Sequence, residues 1–163
     1  MQQLLVIDTS LKPDAALNRL TQTFASRCPY QQIQLATHLV FLAPTDDDED
    51  EFMGICEAVR DTDILAIGIP EQVDQSAMRI LVTRMLALKT DNPFSYKQLV
   101  LLTPTKDVDE KLFDVWSQVA CHLNMDLVEI IDDVRSAKRA GHHLFQTVAT
   151  TPVRFVFHYH RHK

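Results

Sequence analysis

Glycine is scarce in this chain: three in 163 residues, at positions 54, 68 and 141. Most loops that cradle phosphate use glycine to bring backbone N–H groups close to the ligand. The G-x-G-x-x-G dinucleotide loop is absent altogether, which weighs against a six-stranded Rossmann sheet. Cysteine is as sparse. Cys28, Cys56 and Cys121 form no C-x-x-C pair, and an odd, widely spaced set argues against a disulfide scaffold. Three isolated thiols fit a reducing cytosol, where they read as small buried hydrophobes. No apolar run is long enough for a transmembrane helix. The start of the chain lacks the basic region and apolar segment of a signal peptide, so the expected location is cytoplasmic. With 16 basic against 22 acidic residues, net charge −6, there is no broad basic field for nucleic acid. No Ser-His-Asp or Cys-His set can be identified.

What is present is a regular alternation of apolar runs and helical patterns. A hydrophobic fraction of 46% suits a globular domain that buries a core without disulfides or metal. Leu4-Leu5-Val6-Ile7 is a continuous apolar run, as in a strand buried on both faces, and the first strand is read over 3–8. A polar loop, Asp8 to Pro13, leads into a helix over 14–27 with Leu17, Leu20, Phe24 and Cys28 at helical spacing. Cys28-Pro29 ends it. A half-exposed strand is read over 31–36. The six acids from Asp46 to Glu51 precede a helix over 51–60, where they complement the helix dipole as a solvated first turn. A buried strand over 64–69 is closed by Pro70. It is followed by a helix over 74–89, with Ala77, Ile80, Leu81, Met85 and Leu88 on one face. The remaining elements are a strand over 99–102, a helix over 108–124, a strand over 126–131 and a helix over 135–147 broken or kinked near Gly141. A last strand, VRFVFHY, is read over 153–159. Residues 1–150 make one domain and 151–163 a C-terminal strand and tail. The order implies an α/β three-layer sandwich: a five-stranded parallel sheet in the flavodoxin-like order 2-1-3-4-5, with an extra C-terminal strand.

Four short pieces point further. Asp8-Thr9-Ser10-Leu11-Lys12 followed by Asn18 resembles the phosphate loop of the flavodoxin-like NADPH-dependent FMN reductase family. Asp61-Thr62-Asp63, the apolar run and Pro70-Glu71 resemble that family's A-D-x-(apolar)-P-E-Y-N. The helix with Ile80-Leu81 and Arg84-Met85, and Leu123-Asn124-Met125, resemble two further family segments. The resemblance implies FMN held by Ser10, Lys12 and Asn18 at the phosphate, and by Pro70, Glu71, Gln72, Val73, Thr103 and Thr105 around the ring. It implies NAD(P)H as hydride source and a quinone, free flavin or similar small molecule as acceptor. No catalytic side chain is implied. A phosphate at a helix N-terminus would meet free N–H groups and the positive end of the dipole. The plain alternative is a polar loop with Asp14 as N-cap.

The pattern also departs from the family. Gln72 stands where the family has an aromatic residue, and Val73 replaces its Asn. Thr9 replaces a Gly, and Pro104 stiffens the third loop, 103–107. Asp8 would repel a phosphate if its side chain points that way. The second expectation is therefore a flavodoxin-fold protein without flavin, serving as a non-enzymatic binding or assembly module. Val153, Phe155 and Phe157 share one face of the last strand. They suit a sheet edge or a second copy, and a homo-oligomer is expected, as is common in the family. His158, His160 and His162 lie two apart. On a strand that places them about 6.5–7 Å from one another, awkward for one tetrahedral metal.

Overall fold

The computed structural model describes residues 3–44, 48–72, 75–105 and 110–145. Ten elements alternate through the first 131 residues. They are β1 (Leu4–Asp8), α1 (Ala15–Phe24), β2 (Tyr30–Gln34), a 3₁₀ turn (Leu35–Thr37), α2 (Phe52–Arg60), β3 (Ile64–Gly68), α3 (Gln75–Leu86), β4 (Gln98–Leu102), α4 (Glu110–His122) and β5 (Asp126–Ile131). A further helix, α5, begins at 134 and runs to 145, the end of the described residues. All four strand pairings are parallel, and the sheet order is β2-β1-β3-β4-β5, as the alternation predicts. No helix among the described residues is long and apolar enough to cross a membrane.

The apolar runs are continuous because both faces of the sheet are covered. Leu5, Ile7, Leu65, Ile67, Leu99 and Leu101 face one core, shared with α2, α3 and α4. Their neighbours Leu4, Val6, Ile64, Ala66, Val100 and Leu102 face the other, shared with α1 and α5. Period-two alternation thus feeds two cores instead of separating core from solvent. A register shift at Leu99/Val100 leaves Val128 unpaired between Leu127 and Glu129.

Several boundaries differ from the sequence reading. Helix α1 stops at Phe24, beyond which the chain turns through Ser26 N–H to Thr23 O at 3.4 Å and Cys28 N–H to Ala25 O at 3.1 Å, so Cys28 is off the helix. The acidic stretch is not wholly a solvated first turn. The Asp50 side chain is 4% exposed and pairs with Arg84, 5% exposed, on α3. Arg84 also donates to Phe41 O at 2.9 Å and lies 4.5 Å over the Phe52 ring. Burial alone would push the Asp50 carboxyl up. The Phe52 N–H, the guanidinium and the Phe41 N–H outweigh it and hold the group below the usual carboxylate range. On α3, Met78 joins Leu81 and Met85 in the core, while Ile80 is only half-buried and outside it. Helix α5 runs through Gly141 without a break. The glycine is there for close approach: a Cβ at 141 would lie 2.3 Å from Phe24 O. The expected strand over 153–159 and the His cluster lie outside the described residues.

Candidate functional site

In an open parallel sheet the loops beyond the carboxyl ends of the strands form the natural binding edge. Here these are the loops after β1, β3 and β4. The first two enclose a groove of about 660 Å³ whose walls include Ser10, Lys12, Asp14, Pro70, Glu71 and Gln72. Five of the predicted residues are thus brought together. Pro70 is buried in its wall; Lys12, Glu71 and Gln72 are exposed along it. Asn18 is half-buried one turn into α1, and its N–H donates to Asp14 O at 2.9 Å. It is not part of the groove wall. Thr103 and Thr105 pair with each other at 3.2 Å between their hydroxyls, and the Thr103 N–H extends the β4–β5 ladder to Ile131 O at 2.9 Å. They sit at the same end of the sheet but do not line this groove. Val73 lies outside the described residues.

The loop after β1 is held from three sides. Thr9 donates both its N–H and its hydroxyl to Gly68 O, at 3.0 and 2.7 Å, which fastens the loop to β3. Ser10 donates its N–H at 2.9 Å and its hydroxyl at 2.6 Å to Asp8 Oδ1. From β2, Gln34 Nε2 donates to Ser10 O at 2.6 Å, and Gln32 Nε2 to Asp8 Oδ2 at 3.4 Å. Asp8, Thr9 and Ser10 are all at most 3% exposed. The two glutamines were not singled out from sequence. Their signal is the alternation Gln32-Ile33-Gln34 on a strand that pairs Asp8 with Gln34. Asp14 is the N-cap of α1: Oδ1 accepts the Leu17 N–H at 2.9 Å, and Oδ2 accepts the Glu71 N–H at 3.2 Å from the opposite wall.

These contacts test the fit of an FMN phosphate. The Ser10 donors expected to meet it are bonded to Asp8 instead, and a carboxylate sits at the positive end of the α1 dipole. Lys12 is the only cation among the described residues of the groove wall. The phosphate half of FMN therefore does not fit the loop as it stands. Among the described residues no group of His, Cys, Asp or Glu is placed to hold a metal.

No protein-family model and no curated protein matches the chain. Solved structures do. RosB with the bound intermediate 8-demethyl-8-formylriboflavin-5'-phosphate is 13% identical, with TM-score 0.66 over 93% of this chain and 82% of that one. FerB, a flavoenzyme NAD(P)H:(acceptor) oxidoreductase from Paracoccus denitrificans, is 11% identical, with TM-score 0.62 over 91% and 96%. Megasphaera elsdenii flavodoxin is 11% identical, with TM-score 0.56 over 85% and 98%. At such identities the likeness speaks for architecture, and together with the strand order 2-1-3-4-5 it establishes that this chain has the flavodoxin-like fold.

Proposed function

We propose that the protein is a divergent member of the flavodoxin-like NAD(P)H-dependent FMN reductases. In this reading it is an oxidoreductase that holds a flavin, FMN in the form the resemblance implies, against the loops after β1, β3 and β4. NAD(P)H is the electron donor and a quinone, free flavin or similar small molecule the acceptor. One observation carries the reading. The groove at the carboxyl end of the sheet gathers Ser10, Lys12, Pro70, Glu71 and Gln72 from two separate loops, in a fold whose solved examples include flavoenzymes. A bound flavin supplies the redox chemistry by accepting hydride and passing electrons on. The chain's own part is to bind and orient. Thr9 and Gly68 keep the two loops at a fixed spacing, and Pro70 offers an apolar wall without an N–H donor. The Gln72 amide stands where the family's aromatic residue would pack. Thr103, Thr105 and Val73 remain proposed neighbours of the ring.

The second reading is a flavin-free binding or assembly module. Engagement of the Ser10 donors by Asp8 favours it. Titration of the purified protein with FMN and riboflavin separates the two. Quenched flavin fluorescence and a shifted visible spectrum support the oxidoreductase. No response at tens of micromolar of either flavin leaves the module. We also propose a homo-oligomer assembled through 153–159, and deletion of that segment with an unchanged elution volume on size exclusion would refute it. A cytoplasmic location is proposed from the sparse, widely spaced cysteines, which form no C-x-x-C pair.

A further inference from the structure

The described wall of the groove carries more carboxylates than cations. Asp14 reaches across it, with one oxygen on the α1 N–H of Leu17 at 2.9 Å and the other on the N–H of Glu71 at 3.2 Å. The Glu71 side chain is exposed on that opposite wall. Beneath the loop Asp8, 3% exposed, takes both donors of Ser10. The described wall itself sets two carboxylates, Asp14 and Glu71, against one cation, the exposed Lys12, with Asp8 buried behind it. An incoming phosphate would be a second anion at an end of α1 that already holds one, and like charges sharing a site disfavour each other's charged form. A hydroxyl-bearing tail meets the opposite situation. Its O–H groups donate to carboxylate oxygens in charge-assisted hydrogen bonds, and it brings no charge of its own.

We infer that the groove takes a flavin through an uncharged, hydroxyl-bearing tail and discriminates against the 5'-phosphate. The inference rests on the flavin reading above and narrows its ligand. Discrimination of this kind works by repulsion of the wrong ligand as much as by attraction of the right one. It also fits the scarcity of glycine, since no described loop residue of the groove is a glycine that lets backbone close around a phosphate.

The test is a fluorescence-quenching titration of the whole protein with riboflavin and with FMN, at low and at raised salt. Riboflavin is expected to bind more tightly than FMN by about tenfold at low salt. The gap should narrow as salt screens the repulsion. In a phosphate-attracting site salt acts the other way and weakens FMN. Asp14→Asn keeps an N-cap side chain of nearly equal quality and removes one charge. It should raise the affinity for FMN relative to riboflavin by about tenfold, close to the roughly 1.4 kcal/mol of one decade. A thermal melt confirms that the variant is folded. FMN binding more tightly than riboflavin, or an Asp14→Asn ratio equal to wild type, overturns the inference and leaves the flavin reading standing. Failure of both flavins to bind overturns the flavin reading, and the inference with it.

Discussion

Gly141→Ala is the sharpest test of how α1 and α5 meet. The added Cβ would lie 2.3 Å from Phe24 O, 3.2 Å from its carbonyl carbon and 3.5 Å from its Cα. All three are backbone atoms, so no side chain can swing aside. The contact has to open from 2.3 Å to beyond 3.0 Å, which separates the two helices. Separation loosens the Phe24–Phe145 pair, now 5.4 Å between ring centroids, and the packing of Ala137 and Ala140 in the same core. Overpacking of this kind costs about 1–3 kcal/mol, and a weakened aromatic pair adds about 0.5–1.5 kcal/mol. Alanine's better helix propensity returns about 1 kcal/mol. The net is a loss of about 0.5–3.5 kcal/mol, a fall in Tm of about 1–14 °C for a domain of this size. Gly54→Ala is the control. It lies in α2 with nothing within 4 Å of an added Cβ, so the propensity gain stands alone and Tm should rise by up to about 4 °C. Paired calorimetric scans decide the matter by sign. A Gly141→Ala protein that melts at or above wild type would refute the close approach.

Three further outcomes follow from how groups are buried or exposed. Arg84→Met leaves the Asp50 carboxylate buried without its cation, and should lower stability by about 3–5 kcal/mol in urea titrations. The carboxyl of Asp50 is lower in the folded than in the unfolded protein, so its stabilisation is present above the ordinary value near about 3.9. It is lost as pH falls through the lower folded value. Asp50→Asn should therefore flatten the acid limb of the stability curve, and an unchanged limb would count against the pair. Among the thiols, burial pushes Cys56 up to about 11, whereas Cys121 is exposed. With a disulfide reagent at pH 8, Cys121 should react in the native protein and Cys56 only on unfolding. Fast modification of Cys56 would refute its burial.

The architecture was legible because apolar runs at Leu4–Ile7, Ile64–Ile67 and Leu99–Leu102 are buried on two faces, and such runs occur chiefly in parallel sheets. The gathering of Ser10, Lys12, Pro70, Glu71 and Gln72 was legible as well, since strand order alone puts their loops side by side. What those side chains do was not. The direction of the Ser10 hydroxyl depends on Asp8 two residues before it, and the loop is pinned by Gln34 across a strand pairing that no local pattern records. Asp50 looks like any other acid in its run until Arg84, 34 positions later, is placed beside it. Gly141 reads as a break by composition and is a contact by geometry, because its neighbour, Phe24 O, belongs to a helix far away in sequence.

The shared face of α1 and α5 limits how this sheet can grow. From β1, helix α1 crosses one face and the chain steps outward to β2. Helices α2, α3 and α4 cross the other face while the chain steps the opposite way, to β3, β4 and β5. Direction and face reverse together, so every crossover keeps the same, right-handed sense. Helix α5 returns on the face of α1. A parallel strand laid beyond β5 directly after it would step in the direction of β3 to β5 across the wrong face. That crossover would be left-handed, a sense that parallel β-helix-β connections avoid in nearly all cases. Chain topology thus reserves the outer edge of β5 for an antiparallel strand or for a strand delivered by another molecule.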